Sequence, residues 1–369
     1  MDFDFSDDQQ ALRDAVQRFV EKDYGFEQRR QIVRAGGFSQ AAWEGLAGLG
    51  LMGLQVPEAH GGLGMGPVEA MVVMEELGRG LVLEPYAQGA LLAPQLLSQA
   101  PQALQEAWLP RIAGGEALVV LAHQERGLRY RLGMGALRAQ GGRLTGSKSL
   151  VSAGAHAHAF IVPAEDEQGP ALYLVEAGAD GLTARGHALQ DGSAAAELQL
   201  RSTPGQRLAG AEAAQALLEL AADTAIAAQA AEAVGAMDAL VRLTADYLNT
   251  RKQFGVAIAS FQALRHRMAD VKMQLELARS MSYFATLKLG EAPPQRRRAL
   301  AQVKVQLSQS MRFVGQQCTQ LHGGIGVTDE YISSHFFKRL TVMELQWGDG
   351  LHHLAEVSGR MTEQAGVFA

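Results

Sequence analysis

Leu12, Val16 and Phe19 recur at helical spacing, and Ser6 with Gln9 just ahead of them forms a capping-box pattern, so the chain opens on an amphipathic helix. Further helical periods run over 39–50, 67–79 and 84–97, interrupted by Val56-Pro57-Glu58-Ala59-His60-Gly61-Gly62-Leu63-Gly64, whose proline and glycines mark a loop. From 116 the pattern changes to short apolar runs, Ala117 to Ala122, Arg143 to Ser149, Ala159 to Val162, Ala171 to Val175 and Glu197 to Arg201, separated by glycine and polar turns. They predict a small, antiparallel β domain. From about 210 the chain is alanine-rich and helical, which predicts long bundled helices. Gly235 inside that stretch costs about 1 kcal/mol of helix propensity relative to alanine, a cost that close packing against another helix would offset. The expected fold class is therefore α+β, mostly α, with domains over 1–115, 116–208 and 209–369.

Composition narrows the functional classes. At 369 residues, with 47% hydrophobic and 20% charged, the chain can bury a large core in two or three packed units. A net charge of -6 gives no global attraction to nucleic acid or anionic lipid, so an anionic ligand has to be met by a local cation cluster. The acidic start, Met1 to Asp8, is unlike a secretory signal, and no apolar run approaches membrane-spanning length; the expected location is the cytoplasm. A single cysteine, Cys318, allows no intrachain disulfide and reads as a buried filler. His352 and His353 are adjacent and diverge by about 100° on a helix, so no metal is expected. No strand leads into Gly-x-Gly-x-x-Gly or Gly-x-Ser-x-Gly, which argues against a Rossmann unit and a serine nucleophile.

Two elements in the helical zone carry candidate chemistry. Arg251-Lys252-Gln253-Phe254-Gly255, followed by Phe261-Gln262, lies where one long helix ends and the next begins. A guanidinium offers a planar fork to a pyrophosphate, Phe254 a cover for a ring face, and Gln262 an amide to a nucleotide. The same residues also fit a solvated helix end with a core aromatic. Gln320-Leu321-His322-Gly323-Gly324-Ile325-Gly326 lets backbone approach a ligand closely, or else makes a tight interhelical turn.

Together these elements resemble the acyl-CoA dehydrogenase family over essentially the whole chain. Thr250 to Gly255 with Ile258, Phe261 and Gln262 is similar to the family's flavin motif, and Gln320-x-x-Gly323-Gly324-x-Gly326 to its second signature. Gly50 to Gly64, Glu75-Glu76-Leu77-Gly78-Arg79 and Leu144 to Lys148 with Gly154 extend the likeness through the other zones. The resemblance implies an N-terminal helical domain, a central β barrel-like domain and a C-terminal four-helix bundle. It implies FAD as cofactor, an acyl-CoA as substrate and an electron-transferring flavoprotein as acceptor. The implied assembly is a homo-dimer or homo-tetramer, in which Arg251, Gln253, Phe254, Phe261, Gln262, Gln320, Gly323 and Gly324 reach a neighbouring subunit's FAD; Ser152, Gly350 and His352 are further implied flavin contacts.

The chain also departs from the family. The usual glutamate-glycine pair that carries the base is replaced by Trp347-Gly348-Asp349-Gly350, which puts glycine at the glutamate's place and the carboxylate one residue later, at Asp349. Asp349 is either the base or a helix N-cap. Some relatives carry their base on the preceding helix, near Ala225, where Asp223 is no clean match. The family's Thr-Glu-Pro segment is replaced by Ala122 to Gly127, and the tryptophan beside the flavin by Leu150. These changes look most like small subunits of bacterial two-component, pimeloyl-CoA dehydrogenase-like enzymes, which implies a hetero-tetramer with a homologous large subunit as the alternative assembly. The alternatives for function are a flavin-completing subunit without chemistry of its own, and oxidase or monooxygenase chemistry on the same fold.

Overall fold

The computed structural model describes residues 4–361. The chain divides into two compact units: one takes in the chain up to Phe26, Met71–Val82 and everything from Ile226 onward, the other Glu27–Ala70 and Leu83–Ala225.

The second of these holds short helices and the sheet. Its helices are α2 (Phe26–Arg34, from its second residue), α3 (Gln40–Gly48), the start of α4 (Pro67–Arg79), a π-helical stretch Ala87–Leu92 running into α5 (Ala93–Leu97), and α6 (Gln102–Ala113). The strands are β1 (Val119–Leu121), β2 (Arg138–Gln140), β3 (Arg143–Ser152), β4 (Ala159–Asp166), β5 (Gly169–Glu176), β6 (Leu182–Ala188), β7 (Ala194–Pro204) and β8 (Gln206–Ala209). They form one sheet in the order β6-β7-β3-β2-β4-β5-β8, with β1 added on β4. The expectation of an antiparallel sheet is corrected here. β1 and β2 both pair parallel with β4, although the remaining pairings are antiparallel, so the sheet is mixed. β2, β6 and β8 escaped the sequence reading because they carry no apolar alternation; β6, for example, is exposed at every position but its first.

The first unit is helical: α1 (Asp7–Asp23), most of α4, then α7 (Ala211–Thr250, shared with the other unit), α8 (Gln262–Lys288), α9 (Pro293–His322), α10 (Ile332–Leu345) and α11 (Gly350–Met361), with a small hairpin of β9 (Lys252–Gln253) and β10 (Val256–Ala257) between α7 and α8. The capping box at α1 forms as the sequence predicts: Gln9 N donates to Ser6 Oγ while Ser6 N donates to Gln9 Oε1. From Ile226 to Val241 α7 is buried almost all round, which only a helix of small residues at the centre of a bundle allows. Ala230, Val234 and Met237 of α7 share a core with Val271 and Leu275 of α8, Leu307, Met311 and Cys318 of α9, and Phe336 and Leu340 of α10. Each large apolar side chain buried there contributes about 1.5–3 kcal/mol.

Gly235 receives the close packing it needs. α4 crosses α7 so tightly that a Cβ on Gly235 would lie 1.8 Å from the Glu75 carbonyl oxygen, and one on Gly78 would lie 2.0 Å from that of Glu232. The crossing is flanked by buried ion pairs. Arg79 meets Glu75 at 3.2 Å, Glu76 at 3.0 Å and Asp238, while Arg279 meets Glu75 at 2.9 Å. Among the described residues no helix is long and apolar enough to cross a membrane.

Candidate functional site

Where α7 ends, the backbone of Arg251 is held from both sides: its N–H donates to Tyr247 O at 2.8 Å and its carbonyl accepts from Ile258 N at 2.9 Å. The chain then reverses through the β9–β10 hairpin, with Gln253 opposite Val256. The two turn residues, Phe254 (φ +54) and Gly255 (φ +80), both take positive φ, as tight hairpin turns demand. Glycine accepts this freely and phenylalanine does not, yet Phe254 sits there with 91% of its surface exposed. Phe261 stands edge-on to it at 6.1 Å, and Gln262 opens α8, its Nε2 3.5 Å from His266 Nε2.

The second motif closes α9. Gly323 leaves the helix at φ +64 and ψ -141, a conformation suited to glycine, and a Cβ on Gly323 or Gly324 would meet nothing within 4 Å. Gly326 differs, because its Cβ would be 2.6 Å from Thr319 O; it is a packing glycine. His322, packed against Tyr247 with ring centroids 4.7 Å apart, has its Nδ1 2.8 Å from Cys318 O, and burial lowers its pKa. Cys318 itself is buried, its thiol pushed up to about 11 by burial, which suits a filler.

Both motifs line one cleft of about 700 Å³, bounded by Tyr247, Arg251, Gln253, Arg267, Gln320 and the open backbone at Gly323 and Gly324. Phe254, Phe261 and Gln262 lie on the adjoining hairpin and helix start rather than in its lining. Two guanidinium groups, two amides and Cβ-free backbone can together receive a phosphate-bearing ligand with hydrogen-bonding edges.

Asp349 and Gly350 line a second, separate cleft of about 420 Å³ in the same unit, with Arg312, Glu344 and Leu351; Arg312 pairs with the buried Glu344 at 2.9 Å. Here the cap geometry is formed: His352 N donates to Asp349 Oδ1 at 2.8 Å at the start of α11. His352 itself is half-buried and does not line this cleft. The loop before it is constrained. Trp347 (φ +59) and Gly348 (φ +100) both adopt positive φ, and His353 Nε2 donates to Trp347 O at 2.8 Å. A Cβ on Gly348 would fall 2.6 Å from both imidazoles, at His352 Cδ2 and His353 Nε2. Burial first, then nearby positive groups, pushes His353 down to about 4.

In the sheet-bearing unit, Ser152 ends β3 half-buried opposite Ala195, just past an irregularity at which Leu150 takes φ +50 and stands 48% exposed. Sequence reasoning assigned no ionic role to Lys148 and Glu125, which meet at 2.7 Å, the lysine fully buried. Burial favours a neutral Glu125, but Lys148 and the amides of Ala136 and Leu137 outweigh it and hold the carboxyl below its usual range. Asp223 is fully buried. A buried lysine on α9, Lys304, also went unnoticed, because nothing in a helical sequence marks which lysine faces inward. Among the described residues no group of three or more His, Cys, Asp or Glu is placed to hold a metal ion.

Comparison with known proteins gives a consistent result. Residues 6–116 match the family model "Acyl-CoA dehydrogenase, N-terminal domain" and residues 207–358 match "Acyl-CoA dehydrogenase, C-terminal domain". The chain is 28% identical over 380 residues to acyl-CoA dehydrogenase FadE27 of Mycobacterium tuberculosis, covering 98% of this chain and 99% of that protein. Among solved structures it is similar to the ChsE4-ChsE5 complex from Mycobacterium tuberculosis (TM-score 0.89, 26% identity, 98% of this chain and 99% of that one). It also shares the fold of PigA, solved with FAD and proline (TM-score 0.89, 22% identity, 99% of this chain and 100% of that one).

Proposed function

The chain belongs to the acyl-CoA dehydrogenase family, and from that premise we propose that it takes part in FAD-dependent α,β-dehydrogenation of an acyl-CoA thioester, passing electrons to an electron-transferring flavoprotein. One observation carries the cofactor: two motifs far apart in sequence converge on a single cleft with cations, amides and open glycine backbone. That donor set fits a dinucleotide. Arg251 and Arg267 offer charge to a pyrophosphate, Gln253 and Gln320 offer amides to ribose or base edges, and the strained, exposed Phe254 offers a ring face. Bound FAD would supply the acceptor for the hydride lost from the substrate's β carbon. A relative solved as a two-protein complex, ChsE4-ChsE5, supports a site completed by a second chain, with this hairpin as the contribution to it; the assembly is then a homo-oligomer or a hetero-tetramer.

Asp349 is the proposed base for the α proton. One of its oxygens accepts from His352 N and so fixes the carboxylate, and the residue faces a cleft from which a substrate can be approached. Gly348 favours a second reading, in which this chain completes a flavin site while a partner supplies the base. The place where the family carries its glutamate has positive φ and no room for a Cβ.

Purified protein, alone and co-expressed with its homologous partner, should be yellow and bleach anaerobically with an acyl-CoA. A protein that binds flavin but that no acyl-CoA reduces in either form defeats the proposal. Arg251→Ala should empty the flavin site. Asp349→Asn separates the readings: lost reduction with retained flavin supports the base, and unchanged reduction in the complex assigns it to the partner.

A further inference from the structure

The α10–α11 loop is pinned from below by a side chain that the reaction does not use. Lys304, on α9, is fully buried, and its Nζ donates to Met343 O at 2.7 Å and to Gln229 Oε1. Gln229, from α7, passes the contact on: its Nε2 donates to Gln346 Oε1 at 3.1 Å. Gln346 is the C-cap of α10, and its N–H donates to Val342 O and Met343 O. α7, α9 and the exit of α10 are thus joined in one polar ring, with the Lys304 amine donating at the helix C-terminus, where carbonyls lack intrahelical partners. The next turns of α9 continue under the same segment. Gly350 sits so near that its Cβ would be 3.1 Å from that of Ser308, and Arg312 reaches Glu344.

We propose that Lys304 is a positioning residue that anchors the 346–350 loop and so presents the Asp349 carboxylate; its catalytic consequence rests on Asp349 being the base. Burying a lysine amine is costly in either charge state, and an apolar side chain would serve packing alone at less cost. Burial pushes Lys304 down to about 7, opposed by the charges of Glu344 and Asp349. What Lys304 gains there is directional contact with the backbone and amide that set the loop's start. From the other side, His353 holds Trp347 O and Asp349 caps α11, so the loop is fixed at both ends.

The test compares wild type, Lys304→Met and Gln346→Leu, each as the full flavin-loaded protein with its partner, by hydrogen exchange and by kcat and KM. Lys304→Met should speed amide exchange across 346–353 at least tenfold, leave the interiors of α7 and α9 unchanged, and lower kcat about tenfold with KM within twofold. Gln346→Leu breaks the outer link without touching the buried lysine and should show a smaller change in the same segment, which keeps the test available if Lys304→Met does not fold. Unchanged exchange at 346–353, or faster exchange everywhere alike, overturns the anchoring role. Faster local exchange with kcat unaltered upholds the anchoring and removes Asp349 from the chemistry.

Discussion

Replacing Gly235 with alanine sets two effects of opposite sign against each other. In an isolated helix the change gains about 1 kcal/mol from propensity. Here the added Cβ would lie 1.8 Å from Glu75 O, 2.8 Å from Glu75 C and 2.9 Å from Arg79 N, where non-bonded carbons settle at about 3.5–4.0 Å. All three neighbours are backbone, so no side-chain rotation relieves the overlap, and α4 must move away from α7. That displacement draws on the Arg79 and Arg279 pairs to Glu75 and Asp238, whose carboxylates are 4% and 7% exposed. Overpacking costs about 1–3 kcal/mol and a loosened buried ion pair about 3–5, so the net loss should be about 3 kcal/mol or more. For a unit of this size that lowers Tm by about 6–12 °C. Calorimetry of Gly235→Ala beside Gly315→Ala gives the comparison, because a Cβ on Gly315 would press on the Phe337 ring at 3.1 Å, which can yield, and meet Leu340 Cδ1 at an ordinary 3.7 Å. A Gly235→Ala protein as stable as wild type, or less affected than Gly315→Ala, refutes the close-crossing argument.

Three further outcomes follow from the α10–α11 region. Gly348→Glu, which returns a carboxylate to the family's place, should lower Tm and give no gain in acyl-CoA-dependent flavin bleaching; a stable variant with faster bleaching would show that the loop accommodates it. Asp349→Ala should cost about 1 kcal/mol of stability through loss of the cap acceptor while Asp349→Asn keeps most of it, measured by urea denaturation; equal unfolding free energies for the two variants would deny the cap its role. Lys304 has its folded pKa lowered from 10.5 to about 7, so between those values the unfolded chain binds the extra proton and stability should rise with pH, by about 5 kcal/mol over the whole window. Denaturation of wild type and Lys304→Met at several pH values between about 7 and 10 should show that slope only in wild type; parallel curves would place the ammonium in solvent contact.

Periodicity made the helices legible because burial on one face repeats every few residues, and it located α4 at Pro67–Arg79. It overlooked β6, whose exposed positions carry no apolar signal, and it could not distinguish parallel from antiparallel partners, because the alternation of a strand is the same in both. The Arg251–Gln262 motif was visible as residue types at a spacing, yet its strongest physical mark, positive φ at the exposed Phe254, exists only in the folded hairpin. Lys304 and Lys148 were invisible for a related reason: a buried lysine and a solvated one are written with the same letter, and the fold alone decides which has partners.

The displaced carboxylate at Asp349 is where sequence and geometry have to be reasoned together. By sequence, a carboxylate has slipped one residue and lost a methylene, which invites the idea that the base has merely been shortened. The loop argues for something more specific. Trp347 and Gly348 both take positive φ, His353 packs into the space that a side chain at 348 would need, and Asp349 is held by His352 N. These features depend on one another: the imidazole fits because position 348 is glycine, and glycine is required because the imidazole is there. A point change back to glutamate therefore cannot recover the family's geometry, and under the proposed reaction the base is either Asp349 in its capped position or a group of a partner chain. Since Asn preserves the cap and removes only the base, Asp349→Asn in the assembled complex discriminates between these two cases more cleanly than any substitution at Gly348.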